Sequence, residues 1–556
     1  MATLGKAPDT PQRLFSSRRG RILRENLTAY LFLLPAIVLI FTFGIFPVAF
    51  AFFVSLHQWR RFPGEYRALG NFTRAIGDFS YVLFFWLALA TLVYAAYRLY
   101  QMWRDTDDER GALFFLVPGI ANAIALVLFT NWFFTTLVII LNIPNRIRGQ
   151  EITRSLFMNE LWNSFQFPEA LDAFWPMLAA IIVAIGISIT TLRILTTSRN
   201  TIYLMRGSLV AIFVAFGIYL LQLTLNEIDT AITVARDAGE DLPLWSQIIM
   251  ISLGAALVGG AYWVWQRAVK ADSDRRFIMM SAAALLLVFG GYLLVMELPQ
   301  AFASADDDLL NGFRITAMFA FGTVPIQLTI GLGLAYLLFQ NIQGKALFRM
   351  IYFIPYITPF VATSVVFGIL FSNRESSPIN KLIGIFGIEP QTWLLEPKGI
   401  FLLIFGDGVP DILHGPGLAL VVIMMYTIWT FVGYNAVVFL AGLGNIPSEL
   451  YEAARIDGAS GWRVFRHITL PLLSPTTFFL SLIAIIGTFK AFTQIFLMRR
   501  PASFSAVDTV SIYIFETVRT NSRLGYGSAL AFVLFGVILL LTIFQNRIMG
   551  RRVFYG

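Results

Sequence analysis

The residues with the most chemical meaning lie together in one short stretch, Pro447 to Pro471. Pro447 suits the first turn of a helix, where a missing N–H costs nothing. Gly458 suits its end, because glycine accepts a left-handed backbone. Between them, Glu452, Ala453, Ala454 and Asp457 mix small side chains with carboxylates. Small residues let another backbone come close, and a carboxylate can pair with an arginine across a contact. A second short helix follows, and Ile468, Leu470 and Pro471 lead into the next apolar run. The stretch reads as a compact helix–turn–helix with two open uses, a docking surface for a partner protein or a solvated connector.

Elsewhere the chemistry is sparse. The chain has no Gly-x-x-x-x-Gly-Lys-Ser/Thr phosphate loop, so any ATP and Mg would be bound by another subunit. His57, His414 and His467 are far apart and lack zinc spacing. Asp407, Gly408 and Asp411 beside His414 offer too few ligands for calcium and read as a Pro/Gly-rich loop. The absence of cysteine excludes disulfides, thiolate metal sites and a cysteine nucleophile. No catalytic, cofactor-binding or metal-binding residue is expected. Lys490 is the charge in the most apolar surroundings. A lysine at the centre of a bilayer costs about 2.5–3.5 kcal/mol, so it should face a cavity or snorkel to the surface.

The elements that must position these residues are membrane helices. Of 556 residues, 57% are apolar and 13% charged, against about 25% charged in an ordinary soluble domain. About twelve runs reach the roughly 20 apolar residues that a spanning helix needs. They fall near 27–55, 80–103, 113–142, 175–196, 204–225, 245–265, 277–297, 313–339, 350–372, 417–442, 473–497 and 527–546. This excludes a soluble enzyme, a disordered chain and a membrane β-barrel with its short alternating strands. The expected fold is an all-α polytopic membrane protein. Should 113–142, with Pro118, Asn122 and Asn131, be broken or re-entrant, the count in the first half changes.

Sidedness follows from the basic residues. The 41 Lys and Arg against 33 Asp and Glu give +8, which fits cytoplasmic loops better than nucleic acid. Met1 to Glu25 is polar and carries Lys6, Arg13, Arg18, Arg19, Arg21 and Arg24, so it reads as a cytoplasmic tail rather than a cleavable signal. Twelve crossings return the C-terminus to the cytoplasm. Arg193 to Arg206, the loop with Arg267, Lys270, Arg275 and Arg276, and the tail with Arg547, Arg551 and Arg552 agree. So do the acidic external stretches with Glu227, Asp229, Asp237, Glu240 and Asp241 and with Asp306 to Asp308. Two external loops disagree, one with Arg60, Arg61, Arg67 and Arg74, the other with Arg146, Arg148 and Arg154. The expected organisation is a tail (1–26), a first core helix and following segment (27–78), a train of about six apolar helices (79–309), a second core portion (310–546) and a short tail (547–556).

The spacing of Glu452-Ala453-Ala454, Gly458, Ile468, Leu470 and Pro471 resembles the EAA loop of ABC-importer permease subunits, here within 445–471. Other segments resemble the MalF-type group that takes up carbohydrates. These are Ala68 to Phe72, Val324 to Ala335, Phe348 to Pro359, and Asp508-Thr509 with Gly525 to Leu530. The resemblance covers about 27–78 and 310–556. It implies a six-helix permease core, with 79–309 as an inserted helical block that has no counterpart. Where the group often has Gly-Gly-Gly-Pro, this chain has Met498-Arg499-Arg500-Pro501.

The resemblance also implies a bacterial-type plasma (inner) membrane location and a set of partners. These are a second permease subunit, two cytoplasmic ATPases that bind ATP and Mg, an extracytoplasmic solute-binding protein and a sugar-type solute. Glu452, Ala453, Ala454, Asp457, Gly458, Ile468, Leu470 and Pro471 would couple to the ATPase. The substrate pathway would pass Thr427, Thr430, Tyr434, Thr488, Lys490 and Ala491, with Phe431, Asn435, Gly487, Phe489 and Gln494 nearby. Tyr434 keeps the aromatic type seen in maltose-type members, whereas their amides are missing from the matched positions. Aromatic faces suit sugar rings, and polar groups suit their hydroxyls. The competing classes are weaker. A stand-alone ion-coupled secondary transporter needs a buried paired carboxylate within its spans, and a membrane glycosyltransferase needs a large acidic external loop. Neither is evident.

Overall fold

The computed structural model describes residues 18–104, 112–195, 200–270, 272–340 and 342–550. Most of the N-terminal tail, the end of the C-terminal tail and a portion of the 193–206 loop therefore lie outside the described residues. Ten helices are long and apolar enough to cross a membrane, or up to 12 if each of two bent pairs is one span. The ten are Thr28–Ser55, Phe79–Arg104, Ala112–Arg146, Pro168–Ile194, Asn200–Asp237, Leu244–Ala268, Ser273–Ala301, Asp307–Phe339, Leu418–Gly444 and Leu524–Met549. No strand is present among the described residues, only two isolated bridges. The fold is all-α and polytopic.

Proline explains the first of two broken runs. The apolar run at 350–372 is not one helix but Lys345–Ile357 and Phe360–Leu370, bent by 95°. Pro359 has no N–H to donate and pushes Thr358 out of the helical region, to φ −70° and ψ 138°. The run at 473–497 also divides. Ser474–Phe489 follows Gly461–Leu472 at a 63° bend, and Thr493–Met498 is a separate short helix. By contrast 113–142 holds together. Pro118 falls in the first turn of Leu116–Leu141, where its missing N–H is harmless.

The Asn200–Asp237 helix has 38 residues, about 57 Å at 1.5 Å per residue. That exceeds the roughly 30 Å hydrocarbon core. Glu227 and Asp229, expected in a loop, therefore extend this helix instead.

Two ends of the bundle can be told apart by residue. At one end lie Asp306 and the start of Asp307–Phe339; at the other lies the Glu452 loop, where Tyr451 meets Phe339 with ring centroids 6.3 Å apart. At the Asp306 end one apolar cluster joins the 79–309 stretch to the rest. Phe84, Leu220, Ile228 and Leu244 pack with Leu69, Phe72, Val510 and Leu530. Phe53 and Phe134 stack beside it at 4.3 Å, and Glu227 takes a hydrogen bond from the backbone of Leu69. Burial and the neighbouring Tyr219 hydroxyl push the Tyr66 phenol well above its ordinary value. A second cluster gathers Phe319, Phe371, Leu420, Tyr426, Ile495 and Met498. A third, with Ala335, Phe439, Leu443 and Leu473, closes the Glu452 end.

Candidate functional site

A cavity of about 150 Å³ lies among five helices. Asp307–Phe339 supplies Phe319 and Gln327, and Leu418–Gly444 supplies Thr427, Phe431, Tyr434 and Asn435. Ser474–Phe489 supplies Leu480, Ile483, Ala484, Gly487 and Thr488. Tyr356 closes one side, and Ala491 with Gln494 the other.

One glycine makes the aromatic wall possible. A Cβ on Gly433 would lie 1.7 Å from the Tyr352 carbonyl oxygen. Only a residue without a side chain lets the two backbones meet there. The approach sets Tyr356 against Tyr434, stacked with centroids 4.8 Å apart, and against Phe431 at 5.9 Å.

The polar groups divide into two sorts. Thr427 and Thr488 donate their hydroxyls back to the carbonyls of Ile423 and Ile485, at 2.9 Å and 2.8 Å. Gln327 and Asn435 are each 3% exposed, yet Gln327 Oε1 and Asn435 Nδ2 have no hydrogen-bond partner. A buried polar atom left unmatched costs about 1–3 kcal/mol. Both residues belong to the cavity lining, and each keeps one buried polar atom without a partner. Stacked aromatic faces with unmatched amides can hold a ring bearing hydroxyls.

Of the pathway residues expected from sequence, the structure brings Thr427, Tyr434, Thr488 and Ala491 onto this cavity, with Phe431, Asn435, Gly487 and Gln494. Thr430 is buried off the lining and donates to the Tyr426 carbonyl at 2.9 Å. Lys490 caps the Ser474–Phe489 helix and is exposed, also off the lining. Gln327 and Tyr356 are the additions. Gln327, Asn435 and Gln494 are the amide-bearing residues on the lining. A glutamine inside an otherwise apolar run was the available signal for Gln327.

The second candidate region is the 447–471 loop. Its helix runs Ser448–Ile456, with Pro447 as the residue just outside it rather than in the first turn. Gly458 has φ +71°, and the Ala459 N–H returns to the Ala454 carbonyl at 2.9 Å. Ala454 faces inward at 7% exposure, while Glu452, Ala453, Asp457 and Gly458 face solvent.

The loop's second half is a short helix, one π turn over Phe465–Thr469 and Leu470–Leu472. Ile468 is half-buried there, and Leu470 and Pro471 are exposed. The Tyr451 hydroxyl meets Thr469 Oγ1 at 3.3 Å, tying the halves together. Phe465 packs on Tyr336 at 5.0 Å, which anchors the loop to Asp307–Phe339. Ile456 and Trp462 remain 87% and 68% exposed.

With this geometry in view, the family match and the sequence relatives agree on a class. Residues 327–555 match the family described as binding-protein-dependent transport system inner membrane component. The chain is 32% identical over 229 residues to the arabinooligosaccharides transport system permease protein AraP of Bacillus subtilis, covering 41% of this chain and 65% of that one. This chain therefore spans just under two thirds of AraP. It is 30% identical over 254 residues to the sn-glycerol-3-phosphate transport system permease protein UgpA of Agrobacterium fabrum, covering 45% of this chain and 79% of that one. To the lactose transport system permease protein LacF of Rhizobium radiobacter it is 31% identical over 246 residues, covering 43% and 76%. A crystal structure of a bacterial alginate ABC transporter with alginate pentasaccharide-bound periplasmic protein aligns over 45% of this chain and 81% of that one, at 20% identity and TM-score 0.39. The chain belongs to the family of inner-membrane permease components of binding-protein-dependent ABC transport systems. The stretch 79–309 lies outside the family match.

Proposed function

We propose that this chain forms half of the translocation pathway of an ATP-driven importer for a sugar or oligosaccharide. Its partners are a second permease subunit, two cytoplasmic ATPases that bind ATP and Mg, and an extracytoplasmic solute-binding protein. Both termini face the cytoplasm, so the Glu452 loop is cytoplasmic and the Asp306 end external. The supporting observation is the loop itself. A loop fixed to Asp307–Phe339 by Phe465 and Tyr451 leaves Ile456 and Trp462 exposed on the same loop as the exposed Glu452 carboxylate. Apolar anchors ringed by charge are what a docking contact uses.

ATPase closure would press on this loop and, through its anchors, on helices that line the cavity. Glu452, Ala453, Ala454, Asp457 and Gly458 form the docking face, and Ile468, Leu470 and Pro471 carry it into the membrane. Thr427, Tyr434, Thr488 and Ala491 belong to the solute path, joined by Gln327 and Tyr356. Thr430 supports it from behind, and Lys490 stands at the membrane surface near its mouth. The test is purification of the tagged chain in mild detergent, with mass spectrometry of what stays bound. Recovery of an ATPase and a second EAA-bearing permease is expected. Recovery of the chain alone, active in uptake, would overturn the reading.

A further inference from the structure

At the Asp306 end, one arginine ties the helix beside the cavity to the following strut. Beyond Lys490 the backbone turns, and the helix Thr493–Met498 carries Gln494 to the cavity. That helix has only 6 residues, seated in the second apolar cluster by Ile495 and Met498. Arg499 follows directly. Its Nη1 donates to both Asp508 carboxylate oxygens, at 3.2 Å and 3.1 Å, and its Nη2 donates to Glu516 Oε1. The guanidinium also lies over the rings of Phe496 and Phe504, at 5.0 Å and 4.6 Å. The side chain is 10% exposed.

Glu516 sits on the helix Val510–Arg519. One turn before it, the Tyr513 hydroxyl donates to Asp306 Oδ2 at 2.7 Å, joined there by the Tyr526 hydroxyl. Asp306 also caps Asp307–Phe339, accepting from the Leu309 N–H at 3.1 Å. The helix Thr493–Met498 is thus tied through Arg499 to a strut, and through the strut to the last residues of the 79–309 stretch.

We propose that Arg499 is the positioning residue that keeps the Thr493–Met498 roof shut over the cavity, so that breaking its grip on Asp508 and Glu516 opens the pathway at the Asp306 end. The proposal rests on the reading of the cavity as a solute path. Charge-assisted bonds suit such a latch. They are strong when geometry is met, and removing one partner leaves buried charge uncompensated. Without Arg499, two carboxylates would also face each other.

The experiment uses the full chain in sealed vesicles. The sequence has no cysteine, so Gly487→Cys introduces a single thiol on the cavity wall, where an added Cβ meets nothing within 4 Å. A charged, membrane-impermeant maleimide is then added to the Asp306 side alone. R499Q should raise the alkylation rate about tenfold or more, E516Q by a smaller factor, and R499K should return it most of the way. Thermal melting checks that each variant is folded, and E516Q, which keeps the Asp508 bonds, guards against an R499Q chain that does not fold. Alkylation in folded R499Q or E516Q no faster than in the Arg499 parent would overturn the latch. Because the readout needs no ATPase, that result would leave the importer reading to its own co-purification test.

Discussion

At the scale of single residues, Gln327 and Asn435 carry the argument for a ligand. Both line the cavity at 3% exposure, and each holds one buried polar atom without a partner. An unmatched buried atom adds nothing to the resting fold. Gln327→Ala should therefore leave the thermal midpoint unchanged or raise it, while weakening solute uptake about tenfold through a higher half-saturation concentration. A lower midpoint with unchanged uptake would assign Gln327 to the fold instead. Gly433 makes the opposite case. With the Tyr352 carbonyl oxygen 1.7 Å from any Cβ, Gly433→Ala must push its helix away from the Tyr352 backbone. Overpacking of this kind costs about 1–3 kcal/mol. A lowered midpoint and loss of the Tyr356–Tyr434 stack, read by differential scanning and tyrosine fluorescence, are expected.

At the scale of elements, the 447–471 loop was largely legible from sequence, because helix start, glycine stop and small-residue face are all local signals. Gly458 lies at φ +71° as its place at a helix end demands. Glu452 is exposed and makes no contact that the fold needs. Glu452→Lys should thus leave the melting point within error while ATP hydrolysis no longer drives uptake. Gly458→Asp adds backbone strain of about 1 kcal/mol on top of a new charge and should act the same way more strongly. Wild-type uptake and full ATPase recovery in both variants would remove the loop from coupling.

The cavity was only half legible. Thr427, Tyr434, Thr488 and Ala491 lie on or beside two helices flanking the loop, so sequence neighbourhood pointed to them. Tyr356 arrives through the Pro359 break and the Gly433 contact, and Gln327 through the helix before it. Convergence of that kind depends on tertiary approach, which periodicity does not record. The straight span expected at 473–497 failed for a related reason. Continuous apolarity does not show the backbone turn at Lys490, where φ is −97° and ψ 3°.

At the scale of the molecule, the 79–309 stretch enters and leaves at one place. A Cβ on Gly77 would lie 2.6 Å from the Ala301 carbonyl oxygen, and the Asp306 N–H donates to the Ala75 carbonyl at 3.2 Å. Its apolar contacts gather at the Asp306 end, through Leu220, Ile228 and Ile248 against Leu69, Phe72 and Ala75. The Glu452 loop is anchored to Tyr336 and Phe339, at the far end of the bundle. Excising 79–301 and joining the ends by a short glycine linker should therefore separate two properties. Uncovering buried side chains such as Leu69 and Phe72 costs about 1.5–3 kcal/mol each, so the melting point should fall. ATPase recovery from detergent should persist, since no anchor of the loop is touched. A truncated chain that melts lower yet still captures the ATPase would make the block a brace for the Asp306 end. One that stays folded but loses the ATPase would mean that the block itself reaches the coupling side, and that bracing and coupling are not separate properties of this chain.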